Sequence, residues 1–155
     1  MNLVVVGLGR LGLPMLAVLT EVNPNVLGLD TNEERINSLN RGECYIPEPD
    51  LDWMLANYKP PCSTDYLDAS GADVAFIVVN TPPAKDKSLD RSQIVSVLTS
   101  LNALTHPPKV VVVTSTTQPG DMQSLADSFP DLELVYQPQF IALGTVIRDL
   151  KRPDI

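Results

Sequence analysis

Histidine is almost missing from this 155-residue chain. His106 is the only one, and it stands before Pro107-Pro108 in an expected loop. Cysteine occurs twice, at Cys44 and Cys62, with no CxxC and no Cys/His spacing. A structural or catalytic metal needs several such ligands close together, so no metal site is expected. Two isolated thiols read as reduced cysteines of a cytoplasmic protein. Basic residues are also few: 11 Lys and Arg against 19 Asp and Glu, a net charge of -8. A surface of that sign repels a phosphate backbone, which takes nucleic acid off the list of expected partners. No apolar run approaches the roughly 20 residues of a spanning helix, so no membrane is expected either. Residues 1–6 carry no basic region and pass straight into an apolar strand, unlike a secretory signal. What remains is an ordinary globular composition, 44% hydrophobic and 19% charged, at a length that fits one domain spanning residues 1–155.

The most informative stretch is the first thirty residues. Met1-Asn2-Leu3-Val4-Val5-Val6 reads as a buried strand, and Gly7-Leu8-Gly9-Arg10-Leu11-Gly12 as a glycine turn. An apolar helix over 10–22 follows, then a second strand, Val26-Leu27-Gly28-Leu29, that ends in Asp30. Each part has a physical use. Gly7 permits a tight turn, Gly9 leaves room for a pyrophosphate against the backbone, and Gly12 lets the helix pack on the strand. The helix N-terminus offers N–H groups and a partial positive charge to that pyrophosphate. Asp30 lies about twenty residues on, where a carboxylate can accept hydrogen bonds from an adenosine ribose. A glycine triplet alone is weak evidence; one set between a strand, a helix and a strand ending in Asp is strong.

Further along, Thr31 and Glu34 read as a capping box for a helix carrying Ile36 and Leu39 and stopping near Gly42. Arg35 on that helix reads equally as a solvated arginine or as a cation facing the adenosine. Residues 43–58 are irregular and proline-marked, then a short helix holds Leu51, Met54 and Leu55. Trp53 on it reads as packing rather than ligand stacking. Cys62-Ser63-Thr64-Asp65 is a candidate edge strand, with a helix expected near 66–69. Asp73-Val74-Ala75-Phe76-Ile77-Val78-Val79 is a continuous apolar run, the mark of a central parallel strand. It ends in Asn80-Thr81-Pro82-Pro83, and ligands of open parallel sheets bind at strand carboxyl ends. A polar loop over 84–91 leads to a helix carrying Ile94, Val95, Leu98, Leu101 and Leu104. Residues 109–113 repeat the strand pattern, ending in Thr114-Ser115-Thr116-Thr117-Gln118-Pro119-Gly120. That hydroxyl cluster reads as ligand contacts or as an ordinary cap before a helix over 121–128. A last strand over 132–136 ends in Gln137-Pro138-Gln139-Phe140. Alternating strands and helices predict a Rossmann-type, doubly wound α/β fold with a mostly parallel sheet and helices on both faces.

These strand-end motifs together resemble the NAD-binding domain of the UDP-glucose/GDP-mannose dehydrogenase family. Gly7-Leu8-Gly9-Arg10-Leu11-Gly12-Leu13-Pro14 resembles the family's GLGYVGLP, with Arg10 where Tyr is usual. Asn40-Arg41-Gly42 and Pro47-Glu48-Pro49 resemble its N-x-G and P-x-x-E-P-G-L stretch. Val79-Asn80-Thr81-Pro82 resembles VPTP, Ser115-Thr116-Thr117-Gln118-Pro119-Gly120 resembles STVPPG, and Gln137-Pro138-Gln139-Phe140 resembles the start of NPEFLREG. The tail from Gly144 to Pro153-Asp154-Ile155 resembles the G-x-A-x-x-D…P-x-R-I that follows. The family oxidises the C6 hydroxyl of a nucleotide-sugar to a carboxylate in two steps with two NAD. The resemblance implies NAD as cofactor, a nucleotide-sugar as substrate, and cofactor contacts from Gly7, Leu8, Gly9, Arg10, Leu11, Gly12, Asp30, Thr31, Arg35, Val79, Asn80, Thr81, Pro82, Ser115 and Thr116. Thr116 would also position a water.

The departures bear on catalysis. The two glutamates of NPEFLREG are Gln139 and Leu143 here. Gln139 cannot exchange a proton as a carboxylate does, and Leu143 cannot hydrogen-bond. Neither Cys44 nor Cys62 matches the family nucleophile, which is expected to lie beyond Ile155, as are the central helix and the nucleotide-sugar domain. Two readings follow: the NAD-binding domain of a dehydrogenase, inactive by itself, or a non-catalytic NAD-binding module of the same family. A third, the related 3-hydroxyacid dehydrogenases, shares the glycine motif, but the Thr81-Pro82 and Ser115 to Gly120 motifs speak against it. The sugar and the oligomeric state, a homo-oligomer of the full-length protein included, stay open.

Overall fold

The computed structural model describes residues 1–84 and 88–153. Residues 85–87 of the 84–91 loop, and Asp154 and Ile155 of the tail motif, lie outside the described residues. Six strands form one sheet: β1 (Leu3–Val6), β2 (Val26–Leu29), β3 (Cys62–Ser63), β4 (Val74–Ile77), β5 (Val110–Val113) and β6 (Glu133–Tyr136). Their order is β3-β2-β1-β4-β5-β6 and every pairing is parallel. Val6 is level with Leu29 on one side and Ile77 on the other, and Ile77 with Val113, so the carboxyl ends finish along one line. The chain winds outward in both directions from the β1–β4 junction, and a crevice opens there at the carboxyl edge.

Side chains alternate across the pleat and so divide the core in two. Val4, Val6, Ala75, Ile77, Val111 and Val113 face α4 (Ser92–Asn102), α5 (Asp121–Ser128) and a 3-10 turn, Tyr66–Ala69. Leu3, Val5, Val26 and Phe76 face α1 (Gly12–Val22), α3 (Leu51–Tyr58) and α6 (Val146–Lys151). The doubly wound arrangement predicted from the alternating pattern is therefore the one observed. Helix α1 lies beneath α3 and α6 as well as against the sheet. That is why it is apolar nearly all round, with Leu13 and Leu16 fully buried at about 1.5–3 kcal/mol each.

The structure departs from the sequence reading at several ends. Helix α1 starts at Gly12 rather than residue 10: Pro14 has no N–H for the Arg10 carbonyl, so the continuous run begins with the Met15 N–H donating to the Leu11 carbonyl at 3.0 Å. Helix α2 (Glu33–Asn40) is capped by Asn32, whose Oδ1 accepts the Arg35 N–H at 3.0 Å, and not by Thr31. Asp30 takes the Asn32 N–H at 2.9 Å and so draws the extended backbone one residue further before the helix begins. Trp53 is 59% exposed and stands edge-on to Tyr58, with ring centroids 5.9 Å apart. The sequence reading has no counterpart for α6, a short helix that buries Val146 and Ile147.

Candidate functional site

The Gly7 N–H donates to the Leu29 carbonyl at 2.8 Å, so the turn leaving β1 is held against the end of β2. Gly7 has φ +95°, and a Cβ there would lie 2.5 Å from the Val78 carbonyl oxygen. A Cβ at Gly12 would collide with the Gly7 carbonyl oxygen. These two positions need glycine for conformation and for packing. Gly9 differs: a Cβ there would meet nothing within 4 Å, so the residue looks onto open space. Helix α1 begins directly behind it. Its N-cap, Leu11, supplies no side-chain acceptor and its first turn has no acidic residue. The positive end of the helix dipole therefore faces the cleft with no acidic side chain from its own first turn against it.

Asp30 closes the other side. Its Oδ2 accepts the Leu8 N–H at 2.8 Å and the Arg35 Nη1 at 3.3 Å, while Oδ1 accepts the Asn32 N–H. A carboxylate has about four acceptor positions, so one remains, on Oδ1, beside the cleft that Asp30 lines. The guanidinium of Arg35 also lies over the ring of Tyr45, 5.7 Å from its centroid. The Tyr45 hydroxyl donates to the Leu8 carbonyl at 2.6 Å. Burial, with a smaller contribution from Asp30, holds the Tyr45 phenol well above its ordinary pKa and keeps it a donor.

The cleft is open, about 470 Å³, and is lined by Gly7, Gly9, Asp30, Thr31, Arg35, Val79 and Asn80 among the sequence-predicted residues. Leu8 is fully buried, with its N–H and carbonyl already paired to Asp30 and Tyr45; Leu11 is partly buried against the α1-side core, and Arg10 is exposed to solvent. Thr81 is half-buried, Pro82 exposed and Thr116 exposed; none of the three is part of the cleft wall. Ser115 is buried between strand ends. Its Oγ accepts the Val79 N–H at 2.9 Å and donates to the Val79 carbonyl at 2.8 Å, tying the end of β5 to that of β4. The sequence reading missed Val6, Asn32, Tyr66, Val78, Gln93, Ser96 and Val97, which complete the wall. Gln93 and Ser96 did carry a signal: they are polar, three apart, on the helix after the central strand. Tyr66 carried none, because only the path from β3 to β4 brings it to the cleft.

Beyond β6 the chain runs past half-buried Gln139 to Phe140 and Leu143, 77% and 59% exposed. Gly144 (φ +88°) then donates its N–H to Glu48 Oε2 at 2.9 Å. Neither cysteine offers a nucleophile at neutral pH. Burial raises the Cys44 pKa and pushes that of Cys62 up to about 12. Among the described residues no group of three His, Cys, Asp or Glu could hold a metal, and no helix is long and apolar enough to cross a membrane.

A parallel doubly wound sheet, a glycine turn at its switch point and an acid at the end of the second strand define a Rossmann-type dinucleotide-binding domain. Over residues 1–155 the chain matches the UDP-glucose/GDP-mannose dehydrogenase family, NAD binding domain. It therefore belongs to that family, and its cofactor is NAD. An NDP-N-acetyl-D-galactosaminuronic acid dehydrogenase of Ralstonia nicotianae is 31% identical over 97% of this chain and 40% of its own. Two solved structures share the fold closely. A UDP-D-ManNAc dehydrogenase from Pyrococcus horikoshii has a TM-score of 0.88 at 25% identity, covering 97% of this chain and 39% of that one. A ternary complex of GDP-mannose dehydrogenase from Pseudomonas aeruginosa has a TM-score of 0.87 at 28% identity, covering 99% and 39%. The chain thus spans about 40% of the length of these relatives.

Proposed function

We propose that the cleft between β1, β2 and β4 binds NAD, and that the domain is the cofactor half of a nucleotide-sugar 6-dehydrogenase. The central helix and the nucleotide-sugar domain would be supplied outside residues 1–155. The observation that carries the reading is Gly9: open space before its α-carbon, the N-terminus of α1 behind it, and the Asp30 carboxylate alongside. In this reading the backbone of the glycine turn holds the pyrophosphate, the free position on Asp30 Oδ1 takes a ribose hydroxyl, and Arg35 and Thr31 border the adenosine. Val79 and Asn80 line the way toward the nicotinamide, with Thr81, Pro82, Ser115 and Thr116 at the strand ends beyond. Bound NAD would supply the hydride acceptor; the chain's own part is to bind and orient it. Two free thiols support a cytoplasmic location.

Calorimetric titration with NAD and NADP at equal salt tests this. NAD should bind more tightly, because a 2′-phosphate would meet the Asp30 charge. Gly9→Val should remove binding and leave the thermal midpoint nearly unchanged, since its side chain enters open space. Tighter NADP binding, or a Gly9→Val variant with wild-type affinity, would sink the reading. One observation favours a second reading, a non-catalytic NAD-binding module: Gln139 and Leu143 stand where the family has glutamates, and Leu143 points no polar group at anything.

A further inference from the structure

The segment between α2 and α3 makes two long-range hydrogen bonds three residues apart. Tyr45 reaches the glycine turn at the Leu8 carbonyl, and Glu48 reaches the loop after β6 at the Gly144 N–H, 96 residues away. We propose that residues 45–48 are a brace that sets the loop after β6 in place from the cofactor turn, with Tyr45 and Glu48 as positioning residues for the two halves of the site. Calling the first half a cofactor turn rests on the reading proposed above; the brace itself does not.

Three features carry the inference. First, the Leu8 peptide is gripped at both ends. Asp30 holds its N–H and Tyr45 its carbonyl, and Arg35 links the two grips by pairing with Asp30 and lying over the Tyr45 ring. Second, Glu48 is only 8% exposed, yet among the described residues Gly144 is the one hydrogen-bond partner of its carboxylate and Oε1 has none. A buried carboxylate with a single hydrogen bond is a poor source of stability. Its evident effect is to fix where Gly144, and with it the 139–143 loop, sits. Third, the link between the two residues is stiff. The Glu48 N–H donates to the Ile46 carbonyl at 3.0 Å and the Leu51 N–H to the Glu48 carbonyl at 3.2 Å. Pro47 and Pro49 have fixed φ on either side. A displacement of Leu8 therefore reaches Gly144 through a short rigid turn rather than through a flexible loop.

The experiment is residue-resolved hydrogen exchange together with NAD titration, on wild type, Tyr45→Phe, Glu48→Ala and Glu48→Gln. Tyr45→Phe keeps the ring beneath Arg35 and removes only the hydroxyl. Its NAD affinity should fall about five- to tenfold, the weight of one lost hydrogen bond. Without NAD, its Gly144 amide should exchange at least several-fold faster, although the substitution touches only Leu8. Glu48→Ala should speed the same amide more, and Glu48→Gln, which keeps a carbonyl acceptor, should restore protection. A Tyr45 with a purely local role would change exchange near Leu8 and leave Gly144 at the wild-type rate; that result overturns the brace. Should Glu48→Ala fail to fold, Tyr45→Phe and Glu48→Gln still decide the matter. A wild-type chain that binds no NAD would remove the cofactor reading, while exchange at Gly144 in Tyr45→Phe without NAD would still decide for or against the brace.

Discussion

Asp30 does more than mark the end of β2. Its side chain is only 9% exposed, and it accepts from the Leu8 N–H, the Asn32 N–H and Arg35. Removing it deprives the glycine turn of its anchor and, in the proposed function, the ribose of its acceptor. Asp30→Ala should weaken NAD by about 1.5–3 kcal/mol, the range for hydrogen bonds to a charged group. It should also lower the thermal midpoint, because the Leu8 N–H loses its partner. Calorimetry and a thermal melt on the same sample separate the two effects. Arg35 is the weaker of the pair. Its side chain is 44% exposed, and exposed ion pairs contribute about 0–1 kcal/mol. The role proposed for Asp30 toward ribose rests on the sequence, because its distance from the glycines is characteristic. Its grip on Leu8 was not legible there, since nothing local says which N–H a carboxylate will find.

At the scale of elements, the close approach of α1 to the turn depends on Gly12. A methyl group there meets the Gly7 carbonyl oxygen, which is backbone and cannot swing aside. Gly12→Ala should therefore destabilise the domain by about 1–3 kcal/mol, as overpacking does, despite the better helix propensity of alanine; a denaturant melt gives the number. At the opposite edge of the sheet, Asp73 ties three strands. Its Oδ1 takes Lys109 Nζ at 2.6 Å before β5, and its Oδ2 takes the Asn2 N–H at 2.8 Å before β1. The hydrogen bond from Lys109, then that from Asn2, holds the Asp73 carboxyl below its ordinary pKa. A depressed folded pKa means the contribution is present above the unfolded value, near 4, and is lost as pH falls through the folded one. The thermal midpoint should be level near neutrality and fall below about pH 4. Asp73→Asn should lower the plateau and shallow the fall.

For the molecule as a whole, the expected outcome is an absence of dehydrogenase turnover by the 155-residue chain. In the proposed function a domain outside residues 1–155 holds the sugar C6 hydroxyl over the nicotinamide, and positioning can be worth about 7–11 kcal/mol of barrier. Neither thiol is a nucleophile at neutral pH. Gln139 and Leu143 forgo acid–base help worth about 10²–10⁴-fold. These losses overlap rather than add, since residues that act as a unit are not independent. The check is NADH formation with UDP-glucose, GDP-mannose and UDP-N-acetylmannosamine at high protein concentration, against a Gly9→Val control. Turnover above that control would refute the expectation. Gln139→Glu with Leu143→Glu should restore none.

The sequence by itself determined the class of fold and the place of the cleft. Both follow from local signals: apolar runs of strand length, glycines at fixed spacing, an acid at a strand end and hydroxyls after others. Such signals act within a few residues, through backbone conformation and alternation of side chains, so they survive without knowledge of the rest of the chain. Only the tertiary structure decided how the site is held. Tyr45 at Leu8, Glu48 at Gly144, Ser115 at Val79 and Tyr66 over the cleft join residues far apart in sequence. A hydrogen bond between distant segments leaves no periodicity or spacing behind. It depends on where the sheet order brings two loops together, and that order is settled by packing on both faces of the sheet at once.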